Sequence, residues 1–159
     1  MSDVHPNVVR VIAAAREAGL EIVPRRFPDG TKTAADAAAA IGVKVGQIVK
    51  SLVFAVDGEI VMAYVSGANQ LDEKKLASAA GGAKCSRVDA DAVRTATGYP
   101  IGGVPPFGFV TPLRVFIDPD LLQFECVWAA AGTWNDVFAI SPNELARVSF
   151  GTVVDLKKG

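Results

Sequence analysis

The chain has 159 residues, half of them hydrophobic and 21% charged, with a formal net charge of −1. That length suffices for one domain with its own core, and the apolar residues come in short runs, none long enough to cross a bilayer. The near-neutral balance excludes a protein that wraps duplex nucleic acid with a broad basic face, while leaving room for a small local basic patch.

The N-terminal stretch "MSDVHPNVVRVIAAAREAGLEIV" has no basic start, apolar core or cleavage site of a signal peptide, so a cytoplasmic location is expected. Pro6 suits a first helical turn and Gly19 a stop, which predicts a helix over about 6–18 with Val8, Val9, Ile12, Ala15 and Leu20 as its apolar stripe. A strand is expected over about 21–27 and a turn at "PDG". In "TKTAADAAAAIG", Thr33 reads as the N-cap of a second helix, Asp36 sits at capping-box distance and Gly42 follows the end. Two apolar runs joined by Asp57-Gly58 then give a β-hairpin, the expected centre of the sheet.

A third helix is predicted in "NQLDEKKLASAAGG", with Leu71, Lys75, Leu76 and Ala79 at one-turn spacing, and a fourth in "VDADAVRTATG", capped by Asp89 or Asp91. "PLRVFID", "FECVWAAAG" and "DVFAIS" read as strands. "SPNELARV" starts a last helix with Ser141 as N-cap and Pro142 at the first position, and "GTVVDL" can return to the sheet. No linker or internal repeat interrupts this order. It predicts a single domain over residues 1–159 of mixed α/β (α+β) class, its sheet largely antiparallel or barrel-like and flanked by helices.

Several chemistries are excluded. The single histidine, His5, lies near the terminus, so a Ser-His-Asp or Cys-His arrangement on a fixed core position is not expected. Cys85 and Cys126 have no CxxC pattern or nearby histidine, which argues against a metal site and for two buried thiols. "GGAKCS" has Ala83 where a phosphate loop needs glycine, so it reads as a helix stop followed by a strand.

Two features remain. Lys50 stands where "GQIVK" gives way to the strand "SLVFAV", a boundary from which a side chain can project over a sheet end. The loop "GYPIGGVPPFG", residues 98–108, holds four glycines and three prolines. Gly102 and Gly103 offer backbone N–H groups to a close ligand, while Pro105 and Pro106 stiffen the next segment and push Val104 toward extended geometry. Such a loop can aim donors at a carbonyl oxygen or a phosphate, or it can be a rigid crossover without a ligand. Val49, Leu52, Ile101 and the residues of "VSGAN" are candidate pocket walls, and equally candidate core. Thr133 and Asp136 can bind a substrate amine, or simply make a capped turn.

Together, "QIVKSLVF", "GYPIGGVPPFG", "VFIDPDLL" and "VWAAAGTWNDVFAISPNEL" make the chain resemble the YbaK/prolyl-tRNA-synthetase-associated editing domain family, in the expected order and over most of its length. The resemblance implies hydrolysis of the ester that joins a wrong amino acid to the terminal adenosine of a tRNA. Carried over by position, Lys50 is the functional lysine and Gly102 helps place the ester carbonyl or the attacking water. Gly103, Val104 and Pro106, within the G-x-x-x-P loop, would bind substrate. The lysine can pair with the ester end or with the terminal phosphate.

The implied partners are the acceptor end of a mischarged tRNA and possible aid from a synthetase, with no membrane, metal or organic cofactor. Lys44, Lys50, Lys74, Lys75, Lys84 and Arg87 could supply the basic patch. Cysteine on proline tRNA is the leading substrate, with serine, threonine and alanine open. At "AGTWND" this chain carries Thr133 and Trp134 where alanine-specific relatives have His-Pro. The rivals are a binding module of the same fold that performs no catalysis, and a hydrolase of small activated esters.

Overall fold

A strand that is apolar on both faces organises the molecule. "EIVMAYVS" forms β3 (Glu59–Ser66), and the side chains from Val61 to Ser66 are all buried. A run without polar alternation needs cover on both sides. Met62 and Tyr64 pack into the larger core between the sheets, whereas Val61, Ala63 and Val65 face a smaller core with Leu76 and Leu156.

A computed structural model describes residues 4–28 and 33–159. In chain order its elements are α1 (Pro6–Glu17), β1 (Arg25–Arg26), α2 (Ala34–Ile41), β2 (Val49–Val56), β3, α3 (Glu73–Ala79), β4 (Cys85–Arg87), α4 (Ala90–Thr97), β5 (Arg114–Ile117), β6 (Val127–Ala130), β7 (Asp136–Ile140), α5 (Pro142–Ser149) and β8 (Thr152–Val153). Short 3-10 turns occupy Val45–Gln47 and Pro119–Gln123.

The architecture is mixed α/β with two sheets. One has the order β4-β2-β3-β5-β8 and the other β1-β7-β6. The β2–β3, β2–β4, β1–β7 and β6–β7 pairings are antiparallel, while β3–β5 and β5–β8 are parallel. The largely antiparallel expectation therefore holds, and the sheets do not close into a barrel among the described residues. No described helix is long and apolar enough to cross a membrane.

Local signals read correctly where the cause is local. Thr33 Oγ1 accepts from Asp36 N at 3.0 Å, and Gly42 ends α2 at φ 89°. Asp89 caps α4 and Ser141 caps α5. Asp57 and Gly58 both take positive φ, as a two-residue hairpin turn of this kind requires.

Other expectations shift. Only Arg25–Arg26 of the strand expected over 21–27 forms a strand, paired with the β7 edge, and Phe27 N adds one bond to Asn135 O at 2.8 Å. The buried face of α1 is Val8, Val11 and Ala15, leaving Val9 exposed, because adjacent helical positions cannot share one face. The third helix begins only at Glu73, since Asp72 accepts from Lys74 N and Lys75 N and fixes the start, leaving Asn69 and Leu71 in the preceding loop. Both cysteines are half-buried rather than buried. In the expected "PDG" turn, Asp29 and Gly30 lie outside the described residues.

β3 also holds the glycine–proline loop. The Tyr64 hydroxyl, fully buried, donates to the carbonyl oxygen of Pro106 at 2.8 Å. Its burial pushes the phenol pKa well above the ordinary value. Tyr64→Phe would orphan that carbonyl, and we expect a loss of about 1–3 kcal/mol of stability. Urea unfolding checks this; an unchanged midpoint would show that the bond contributes nothing.

Candidate functional site at the start of the central hairpin

Lys50 is the second residue of β2, paired across the hairpin with Val65. Upstream, the Val45–Gln47 turn is pinned: Gln47 Oε1 accepts from Lys44 N at 3.1 Å, and Gln47 Nε2 donates to the Cys126 carbonyl at 3.0 Å. Ile48 bridges to Trp128, which brings the second sheet against the start of β2. On the other side Gly67 N donates to Ile48 O at 2.7 Å. A Cβ on Gly67 would stand 2.3 Å from the Val45 carbonyl oxygen, so only glycine permits this approach.

The gap between these pieces is a cavity of about 480 Å³. Of the residues singled out from the sequence, Val49, Lys50, Ile101, Gly102, Val104 and Thr133 line it, together with Leu52 and Gly67. The sequence alone did not reveal the rest of the wall: Thr33, the cap of α2, with Ala34 and Ala37 from that helix, Trp128 to Ala130 from β6, and Ile48, Ser51 and Val137. The alanine-rich composition of α2 was legible but not its placement. Behind the wall, Arg25 lies over the Trp128 ring at 5.5 Å, a cation–π contact that braces it. Ser51 also lines the cavity, and its Oγ is buried with no hydrogen-bond partner among the described residues.

A second cavity of about 510 Å³ adjoins the first, sharing Lys50, Ile101, Gly102 and Val104. Its outer lining is more polar, with Gln70, Glu73, Arg87 and Lys158. Of the expected basic patch, Lys50 and Arg87 meet here, joined by Lys158. Lys75 instead pairs with Asp155 at 2.7 Å, and Lys44, Lys74 and Lys84 line neither cavity.

The glycine–proline loop forms the lip between the two cavities. Gly103 N donates to Pro100 O at 2.9 Å, and Gly102 at φ 86° takes the position of this turn that requires a left-handed residue. The Gly103 N–H is thus occupied by the turn, which corrects the expectation of two free donors. Gly102 is exposed, and its N–H has no hydrogen-bond partner among the described residues. The Gly103 carbonyl accepts from Gly132 N at 2.9 Å and docks the loop on the turn before β7.

Two further candidates lie away from the cavity. Pro106 gives its carbonyl to Tyr64. The Asp136 carboxylate accepts from Arg26 Nη1 at 2.8 Å and from Thr133 Oγ1 at 2.5 Å, and lines a separate recess with Val4 and Val8. Asp136 orients Thr133, which does line the cavity.

The Lys50 ammonium is half-buried and donates to the main-chain oxygen of Asn69. Burial lowers its pKa from the ordinary lysine value, and the charge of Asp118 opposes that shift. An ammonium and a free backbone N–H therefore share one rim. That pair can stabilise negative charge developing on an ester oxygen without any histidine.

Comparison with known proteins agrees in direction. The model of the aminoacyl-tRNA editing domain matches residues 28–148. The uncharacterized protein YwhH of Bacillus subtilis (strain 168) is 33% identical over 127 residues, 80% of this chain and 81% of that protein. The proline–tRNA ligase of Maridesulfovibrio salexigens is 35% identical over 107 residues, 67% of this chain but only 18% of the ligase. A crystal structure described as a candidate trans-editing enzyme for prolyl tRNA synthetase superimposes with a TM-score of 0.94 and 41% identity, covering 99% of this chain and all of the other.

The loop docking generates a prediction of its own. A Cβ on Gly103 would stand 2.8 Å from both the Gly132 oxygen and Thr133 Cα, which are backbone atoms that cannot swing away. Gly103→Ala should cost about 1–3 kcal/mol by overpacking. Backbone amide shifts should move at residues 132 and 133 as well as in the loop, and a spectrum altered only next to residue 103 would refute the docking.

Proposed function

Since the chain belongs to the aminoacyl-tRNA editing domain family, we propose that it is a trans-acting deacylase, hydrolysing the ester between a wrongly attached amino acid and the 3′ end of a tRNA. The observation that carries this reading is the shared rim, where the Lys50 ammonium and the unpartnered Gly102 N–H lie between an apolar cavity and a basic one. The apolar cavity takes the amino acid. The cleft with Arg87 and Lys158 takes the acceptor end, whose phosphates those cations would meet.

The chemistry asks little of side chains. An aminoacyl ester is already activated, so positioning a water can replace a strong base, with the neighbouring ribose hydroxyl available to assist. Water attacks the carbonyl carbon, and the oxygen that gains charge is held by Gly102 N–H, with Lys50 serving the ester or the terminal phosphate. The C–O bond to the ribose then breaks, its oxygen takes a proton, and free amino acid leaves the tRNA.

The cavity wall supports a small side chain. Alanines of α2 and β6 leave modest space, and Thr33, Lys50 and Thr133 bring polar groups to the wall, whereas the Ser51 hydroxyl is buried. Cysteine on proline tRNA is the first substrate to test, followed by serine, threonine and alanine. Proline tRNA comes first because of what the ligase and the solved structure are named for.

The deciding experiment is deacylation of tRNAs charged with Cys, Ala, Ser, Thr and Pro, comparing the protein with Lys50→Ala. One non-proline ester should be lost selectively, and the variant should be slower by at least about tenfold, or 1.4 kcal/mol in transition-state stabilisation, with unfolding unchanged. Hydrolysis of none, with tRNA still bound, would favour a binding module. Equal hydrolysis of small esters lacking tRNA would favour a general esterase.

The pH profile has a definite sign. If the reaction needs the Lys50 ammonium, activity falls as that group loses its proton. Burial has lowered its pKa, so the alkaline loss should come below the ordinary lysine value of 10.5. A rate still rising through pH 10.5 would exclude the ammonium, provided the background hydrolysis of the ester is subtracted.

A further inference from the structure

Behind Lys50 lies a polar cluster that the deacylation scheme does not use. Asp118, immediately after β5, is wholly buried and forms no direct ion pair among the described residues. Its oxygens are instead met by N–H donors: Oδ2 accepts from Ser66 N at 3.1 Å and Asn69 Nδ2 at 2.8 Å, and Oδ1 from Asp120 N at 2.9 Å. Asn69 Nδ2 also donates to Asp120 Oδ2 at 2.9 Å, and Asp120 pairs with Lys157 at 2.8 Å. The same Asn69 presents its main-chain oxygen to the Lys50 ammonium.

One residue thus links the rim to a buried carboxylate, its side chain facing Asp118 and its carbonyl facing Lys50. A carboxylate buried without a direct cation is costly, and a purely structural acceptor could be neutral. The charge has a use here, because the half-buried ammonium loses solvation and the field of Asp118 compensates. The other charged groups around this space are Asp120 and Lys157 behind Asn69, and Glu73, Arg87 and Lys158 along the second cavity.

We propose that Asn69 and Asp118 are positioning residues for the reaction, with Asn69 fixing where the Lys50 ammonium sits and Asp118 keeping it charged while half-buried. This rests on the deacylase reading, and neither residue touches the substrate. The cluster also explains the glycine at 67. The loop must approach both Ile48 and Asp118, and Gly67 allows the first contact while Ser66 N and Asn69 make the second.

The test has one readout without tRNA and one with it. In protein carrying 13C-labelled lysine, the Lys50 signal, assigned by its loss in Lys50→Arg, is titrated in wild type and in Asp118→Asn. The variant should titrate about one unit lower, a tenfold change in the protonation ratio. A folded Asp118→Asn with an unchanged Lys50 titration overturns the role of the carboxylate.

The second variant, Asn69→Ala, keeps the main-chain oxygen but unties it from Asp118, and its position in a half-buried loop makes it the safer substitution. Deacylation should lose about tenfold in kcat with KM changed less than threefold, as for a group misplaced in the transition state. A merely structural role would lower the unfolding midpoint and leave kcat intact at low temperature, and that result overturns the positioning. The failures are distinguishable. Wild-type protein that releases no amino acid from any tRNA overturns the deacylase reading and, with it, the catalytic purpose proposed for the cluster, whatever Lys50 titrates at. Active wild type with both variants unchanged overturns the positioning alone.

Discussion

Burial of β3 on both faces from Val61 to Ser66 is the constraint on which the site depends. A strand covered on both faces can be attached to the rest of the molecule only through its ends, its backbone and the rare polar side chain, and β3 concentrates those attachments at its C-terminal end. The Tyr64 hydroxyl holds Pro106, the Tyr64 carbonyl accepts from Asp118 N at 2.9 Å, and Ser66 Oγ donates to the Gly46 carbonyl at 2.8 Å. The glycine–proline loop, the segment after β5 and the turn before β2 are thereby brought to one place. Lys50, opposite Val65, lies in their midst.

That convergence explains why freedom and restraint are mixed in residues 98–108. Gly102 is needed for a left-handed turn position, and Gly103 for passage against the backbone at 132 and 133. Val104 to Phe107 are buried, and they need no freedom because the Tyr64 bond and the core hold them. A rim donor must stay still to stabilise a developing charge, since a donor that reorganises during the reaction gives back much of what it gains. Glycine supplies the approach and proline the stiffness, so neither alone would make this lip.

What the sequence made legible is what has a local cause. Helix caps at Thr33, Asp89 and Ser141, the Asp57-Gly58 hairpin and the lysine at a strand start all depend on residues a few positions apart. The cavity residues named from the sequence were those on the two distinctive motifs and their neighbours. Thr33, Ala37 and Trp128 escaped because only the packing of α2 on Ile48 and the turn before β2, and of β6 against β2, turns them toward the same space. Asp136 shows the converse, for its sequence neighbourhood suggested a substrate contact, yet Arg26, distant in sequence and adjacent in space, takes its carboxylate. "VSGAN" reads as a wall, and its Gly67 does line the cavity, but its asparagine reaches Asp118, which no periodicity links to it.

A small apolar cavity alone separates amino acids that differ by one methylene by only about 10- to 200-fold. An editing site that also lacks a histidine base must therefore gain from geometry what it does not gain from reactive groups. On the proposed deacylase reading, the two adjoining cavities divide that task. The apolar one would judge the size of the side chain, while the basic one would hold the acceptor end and so fix where along the rim the ester bond falls. An amino acid too large for the first cavity would keep its ester away from Gly102 even with the acceptor end bound, so exclusion by size would become exclusion from the chemistry. Rigidity of the rim is then what discrimination requires, because a lip that yields to a larger side chain would let the ester reach the same donors.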